Sequence, residues 1–183
     1  MQSASLILES FIEDKTLCDD LIQMHHNHTY KRQVSTPHKR STDTSYHVVW
    51  SMELYEPIER LAGELAKCVR QYVEKYPESE WNILQLDFGL MNVQHYLPEQ
   101  GFPSWHKERL PSDPIGGLRE GVWMLYLNDV PDGGTQFKFQ DLEVKAEKGK
   151  MVLWPSYWTH QHRGVISPTT EKLIATGWLS RQK

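Results

Sequence analysis

From Asp87 onward the chain reads as short apolar runs separated by turn signals, with no helical pattern between them. Phe88–Tyr96 alternates partly between apolar and polar residues, as a strand does. Gly121–Asn128, Thr135–Phe139, Leu142–Lys145, Met151–Trp154 and Leu173–Leu179 are further strand candidates. Pro131-Asp132-Gly133-Gly134 and Lys148-Gly149 read as turns between them. Parallel strands need long crossovers, usually helical. No strand–helix alternation is present here, which argues against a parallel sheet.

The first half is of another kind. Leu6–Phe11 reads as a short strand, and Asp14 is placed to cap a helix running through Leu17, Leu21, Ile22 and Met24. Glu53–Tyr76 is the clearest helix: Leu54, Ile58, Leu61, Leu65, Val69 and Tyr72 form one apolar stripe, and Pro77 ends it. Asn27–Ser45 is polar, carries Pro37 and reads as a long loop, hence a lid candidate. Two helices followed by a run of strands predict a mainly β fold with helices packed against a sandwich or barrel. The 183 residues suffice for one domain with a sizeable core. Helical support is expected over 1–80 and the strand-built core over 86–180.

A net charge of -4 and a pI near 6.1 make the chain no basic trap for nucleic acid. Lys31-Arg32 and Lys39-Arg40 alternate with polar residues and read as part of a solvated loop. No apolar run approaches the roughly 20 residues of a membrane span. Met1–Ser5 lacks the basic start of a signal peptide. A soluble, cytoplasmic protein without a membrane partner is expected. Cys18 and Cys68 fall in helical patterns without C-x-x-C spacing, so they are expected as reduced thiols and exclude a cysteine-built zinc site.

The chemistry concentrates at His106-Lys107-Glu108 and, about fifty residues later, at His160-Gln161-His162-Arg163-Gly164. On a strand or its end, residues i and i+2 point the same way, so His106 and Glu108 can reach one ion. Two imidazoles and one carboxylate, as H-x-E and a distant histidine, spell a facial triad for non-haem Fe(II). Such a triad fills one face of an octahedron and leaves the other open. His160 and His162 read as facing the same side of one strand, so periodicity does not choose between them. His95 reads as a core or outer-shell histidine, and His25-His26-Asn27-His28 as a polar helix end.

His106-x-Glu108, Tyr126-Leu127-Asn128-Asp129, Gly133-Gly134-Thr135-x-Phe137, Lys148-Gly149-Lys150, Trp154-Pro155-Ser156, His162-x-Gly164 and Lys172 stand in a telling order. From Tyr96 to Trp178 the chain resembles prolyl 4-hydroxylase-like 2-oxoglutarate/Fe(II) dioxygenases. The resemblance implies a double-stranded β-helix, or jelly roll, buttressed by helices, in one domain over 1–183. It implies His106, Glu108 and His162 as the catalytic metal ligands. The spacing from His162 to Lys172 matches that from the family's distal histidine to the basic residue that binds the C5 carboxylate of 2-oxoglutarate, which selects His162 over His160. Tyr126 aligns with a tyrosine that donates to the same carboxylate. Thr135 and Trp178 match positions lining the cosubstrate pocket, and Tyr96 is a further lining candidate. The Gly-Gly turn is one residue shorter than the usual G-G-E-T at Thr135.

Better-known prolyl hydroxylases use H-x-D. The run Tyr96-x-Pro98-x-x-Gly101-Phe102-x-x-Trp105-His106-x-Glu108, with Trp154–His160, resembles a phage and marine bacterial subgroup that carries glutamate here. That extends the expected localisation to a phage-encoded enzyme acting in the host cytoplasm. The implied cofactor is Fe(II), the cosubstrates 2-oxoglutarate and O2, and the accessory reductant ascorbate. The implied reaction is hydroxylation of a C–H bond, with release of succinate and CO2, on a peptidyl proline. Ser35–Thr42 sits where relatives carry a substrate-covering loop, and Trp105, Trp123 and Trp158 are candidates for an aromatic floor under a proline ring. Arg163 can face substrate or solvent. Two alternatives stay open: a hydroxylase of a free amino acid or other small molecule, and a non-catalytic metal-binding jelly-roll module.

Overall fold

The computed structural model describes residues 5–46, 56–81, 84–110 and 112–181. Its elements in chain order are β1 (Leu8–Phe11), α1 (Thr16–Asn27), β2 (Arg32–Ser35), β3 (Arg40–Tyr46), α2 (Glu56–Lys75), β4 (Gln85–Tyr96), β5 (Arg119–Tyr126), β6 (Val130–Phe137), β7 (Leu142–Ala146), β8 (Lys150–Pro155), β9 (His162–Val165) and β10 (Lys172–Ser180). Leu54, first in the apolar stripe, lies outside the described residues.

A seven-stranded sheet has the order β1-β8-β5-β10-β4-β3-β2, and a three-stranded sheet the order β7-β6-β9. The pairings are antiparallel, for the reason given by the absence of crossovers. One face of the large sheet is covered by both helices. Leu17 and Leu21 of α1 and Ile58, Leu61, Leu65 and Val69 of α2 bury against Val93, Trp123, Leu125, Leu153, Leu173 and Ala175. The other face packs on the small sheet: Val122, Met124, Tyr126, Val152, Trp154 and Ile174 meet Val130, Phe137 and Val144. Successive residues of β5 and β10 therefore feed two different cores. Burying one such leucine contributes about 1.5–3 kcal/mol.

Helix α1 starts near the expected place. The Asp14 carboxylate accepts the Thr16 N–H at 3.0 Å, satisfying a donor of the first turn. Arg60 of α2 donates to the carboxylates of Asp14 and Asp20, which ties the two helices together. Cys18 and Cys68 are free and buried, as reduced thiols should be.

Three expectations are corrected. Asn27–Ser45 is not one long loop, because β2 and β3 form a hairpin on the edge of the large sheet, paired from Arg32↔Asp43 to Ser35↔Arg40. The apolar alternation that marks a strand is missing there because polar residues fill its buried positions. Thr44 bonds His25 Nδ1 at 2.7 Å, and Asp43 bonds Lys39 at 2.6 Å. The stretch read as helical support thus contributes three strands. Second, Pro131–Gly134 is not a turn between strands but lies inside β6, where Val130 pairs with Ala146 and the next pair is Gly134 with Lys145. The residues between are looped out as a bulge. Gly134 adopts φ +148°, and a Cβ there would meet the Val144 carbonyl oxygen at 2.5 Å, so the crossing needs glycine. Third, His160 and His162 do not share a strand. His160 ends a short 3-10 turn over Trp158–His160, and His162 opens β9.

Candidate active site

Backbone pairing brings the two halves of the triad together. His106 and His162 form an antiparallel bridge, each N–H donating to the other's carbonyl at 3.0 Å. Gly164 N–H donates to Phe102 O at 2.9 Å, so the segment before His106 runs alongside β9 as a further strand-like edge. Beyond it, Glu108 and Arg109 N–H both donate to Ser156 O, at 3.2 and 2.9 Å, which turns the Glu108 side chain inward.

The ligand atoms of His106, Glu108 and His162 lie within 4.8 Å of one another. Both rings are held by Nδ1: His106 on Ser104 O at 2.9 Å, His162 on His160 O at 3.0 Å. A carbonyl only accepts, so each Nδ1 carries the proton and each Nε2 is free to ligate. The His106 ring also stacks on Phe102, with centroids 3.8 Å apart. Burial alone would push the Glu108 carboxyl up; in the metal-free site, whenever a proton on Nε2 takes the place of the metal, the hydrogen bonds and charge of His106 and His162 outweigh burial and hold it well below the usual range. A tautomer-locked histidine pair with an ionised carboxylate is a donor set that fits Fe(II).

The triad opens into a cavity of about 190 Å³ between the sheets. Strand alternation determines what lines it. Lys172, Ile174, Thr176 and Trp178 come from alternate positions of β10, Met124 and Tyr126 from β5, Gln94 and Tyr96 from β4, and Thr135 from β6. All five predicted cosubstrate residues, Lys172, Tyr126, Tyr96, Thr135 and Trp178, are lining residues. The Tyr126 hydroxyl shares a 2.7 Å hydrogen bond with Thr135 Oγ1, which places Thr135 in the pocket despite the shortened turn. Burial pushes the Tyr126 phenol well up, so it stays a donor. The Tyr96 hydroxyl donates to Gln94.

Residues 91–180 match the family model of the 2OG-Fe(II) oxygenase superfamily. Over this stretch the chain is a 2OG-Fe(II) oxygenase. The oxygenase uses Fe(II), with 2-oxoglutarate and O2 as cosubstrates. No curated protein matches it in sequence. Its fold is the double-stranded β-helix of solved prolyl hydroxylases. It is similar to a Pseudomonas putida prolyl-4-hydroxylase, with TM-score 0.72 and 16% identity over 97% of this chain and 93% of that one. It is similar to a viral collagen prolyl hydroxylase from Paramecium Bursaria Chlorella virus-1, in its 2-oxoglutarate complex, with TM-score 0.69 and 18% identity over 98% of each. A third is a Trichoplax adhaerens prolyl hydroxylase in complex with a hypoxia inducible factor peptide fragment, with TM-score 0.63 and 12% identity over 95% and 83%. Among the described residues, no helix of the oxygenase is long and apolar enough to cross a membrane.

Other candidates separate cleanly. His160 is buried and committed elsewhere, with Nε2 on Ser5 O at 3.0 Å. Arg163 lies over the Trp105 ring at 4.6 Å and donates to Gln136 at 2.9 Å, so its guanidinium is held against those two side chains. Trp123 is 1% exposed in the helix-side core and cannot form an aromatic floor, whereas Trp105 and Trp158 are 37% and 61% exposed. Sequence reasoning missed Phe102 as a ring partner and Arg119, whose Nη1 donates to Glu108 O at 3.1 Å. Phe102 stood inside the quoted run around His106. Arg119 carried no local signal, being eleven residues away across a loop.

Lys172 is 5% exposed, and its Nζ donates to Val165 O at 2.8 Å. Among the described residues no carboxylate pairs with it, and burial pushes its amine down from 10.5 to about 8. The unfolded chain keeps the ordinary value, so below pH 8 both states are protonated and the buried ammonium costs on the order of 3 kcal/mol. Between pH 8 and 10.5 the folded state has shed its proton while the unfolded state retains it. Stability of the ligand-free protein should therefore rise with pH across that window. The urea midpoint of wild type, followed against that of Lys172→Met, should show a rise that the variant lacks. Parallel curves would show that the lysine is not buried as a lone cation.

Proposed function

We propose that the oxygenase hydroxylates a peptidyl proline, with His106, Glu108 and His162 as the Fe(II) ligands and Lys172 and Tyr126 as the anchors of the far carboxylate of 2-oxoglutarate. Fe(II), when bound, supplies the redox chemistry that couples decarboxylation of 2-oxoglutarate to hydroxylation, with release of succinate and CO2. The observation carrying the reading is a three-ligand cluster and a lone buried lysine in one cavity. A structural metal site has no use for that cation; a chelating dicarboxylate does. The pocket lies between the two sheets, where the phenol of Tyr126 and the ammonium of Lys172 take the place of part of the hydration of one carboxylate.

Three observations support the peptide. Trp105, next to the metal-site histidine in the chain, and Trp158 are exposed, flat apolar surfaces that suit a proline ring. The β2–β3 turn, which replaces the expected loop, reaches the segment just before His106, with His38 Nδ1 bonded to Ser104 Oγ at 2.9 Å. The viral and Trichoplax neighbours are named for collagen and for a bound peptide fragment. The glutamate subgroup is supported by the run from Tyr96 to Glu108.

The test is a panel of proline-containing peptides, free proline and other free amino acids, offered with Fe(II), 2-oxoglutarate and O2. Succinate release matched by one added oxygen on a peptide proline is expected. Product only from a free amino acid would replace the peptide reading. Metal binding without succinate from any of them would favour a non-catalytic module.

A further inference from the structure

Glu108 uses its two carboxylate oxygens differently. Oε1 faces the histidines, 3.4 Å from His106 Nε2 and 3.6 Å from His162 Nε2. Oε2 is turned away and accepts the Trp178 indole N–H at 2.9 Å. Arg119 Nη1 approaches the same Oε2 at 3.6 Å and donates to the Glu108 backbone carbonyl at 3.1 Å. The Arg119 guanidinium lies over the Trp178 ring, 3.6 Å from its centroid. Trp178 on β10 and Arg119 at the start of β5 are neighbours across one ladder. The indole and the guanidinium thus support each other while both hold the carboxylate.

A glutamate has one more methylene than an aspartate, and so one more rotatable bond with which to present both oxygens to a cation. Chelation by both would occupy two positions of an octahedron, which with two imidazoles leaves only two. A chelating 2-oxo acid and O2 together need three. An indole N–H is a donor only, and an oxygen engaged by it is a poorer ligand. We propose that Trp178 and Arg119 are positioning residues that keep Glu108 a one-oxygen ligand and so hold three coordination positions open. This rests on the reading of His106, Glu108 and His162 as the metal site. It also gives Trp178 a sharper role than lining the cosubstrate pocket, because its single polar atom is spent on Glu108.

The experiment is an anaerobic titration of the apo-protein with Co(II), whose visible spectrum reports ligand number and geometry. Wild type, Trp178→Phe, Arg119→Met, Arg119→Lys and His162→Ala are compared, with folding checked by near-UV circular dichroism. Trp178→Phe keeps a ring and loses the donor; it is expected to weaken Co(II) binding by about 10–100-fold, as loss of an outer-shell partner does, and to change the spectrum. Arg119→Met should act in the same direction and Arg119→Lys less. In a Glu108→Asp background, where the shorter side chain gives up Oε2's partners, the effect of Trp178→Phe should largely vanish. If Trp178→Phe does not fold, Arg119→Met carries the test. Wild-type affinity and spectrum in the folded variants, with binding still lost in His162→Ala, would overturn the clamp and leave the metal site standing. Wild-type Co(II) binding that does not depend on His162 would overturn both.

Discussion

Replacing His162 with alanine is expected to weaken Fe(II) binding by more than about a hundredfold and to abolish succinate release. The imidazole is buried, its tautomer is set by His160 O at 3.0 Å, and its Nε2 sits with His106 Nε2 and Glu108 Oε1. Removing an outer-shell partner costs roughly 10–100-fold in metal affinity, so loss of one of three direct ligands should exceed that. An anaerobic optical titration with Fe(II) and 2-oxoglutarate reads the result: a visible charge-transfer band in wild type, absent in the variant. His160→Ala is the control. Its ring is bonded to Ser5 O and is not among the three clustered ligands, so the band should persist. A band that survives His162→Ala and disappears in His160→Ala would reverse the assignment.

Lys172→Met should have two effects of opposite sign. The cosubstrate loses a charge-assisted hydrogen bond of about 1.5–3 kcal/mol, so the 2-oxoglutarate concentration needed for half-saturation should rise about ten- to a hundred-and-fifty-fold. Fe(II) binding without cosubstrate should not change, since the triad does not use the lysine. The ligand-free protein should become more stable below pH 8, because the variant no longer buries a lone ammonium whose amine is pushed down to about 8. Higher stability with lower affinity is the expected signature of a residue kept for binding. Unchanged 2-oxoglutarate dependence would remove Lys172 from the site.

Much of this molecule is legible in its sequence. Triad, lysine and pocket tyrosine lie in strands or beside turns, where apolar runs, glycines and fixed spacings mark position, and all of them line one cavity. The helices announced themselves by stripes at helical spacing, because one face of each is covered by the large sheet. The β2–β3 hairpin did not, because polar Ser41, Asp43 and Thr44 fill its buried positions in place of apolar side chains, with Thr44 bonded to His25 and Asp43 paired with Lys39. Trp123 was misplaced for a related reason. In β5 every residue from Glu120 to Tyr126 is buried, so composition does not say which side faces the helices and which the pocket.

Residue types and their order along the chain determined the candidate donor set, the candidate cation for a carboxylate and the antiparallel character, since each depends on local chemistry or on connections short enough to read directly. Tertiary structure decided the rest. The bridge between His106 and His162 brought those two rings together, strand register set the face of Trp123, and the contacts of Trp178 and Arg119 set which oxygen of Glu108 faces the histidines. Those choices turn on contacts between residues far apart in the chain. Their energies come from the geometry of packing, which one-dimensional spacing does not carry.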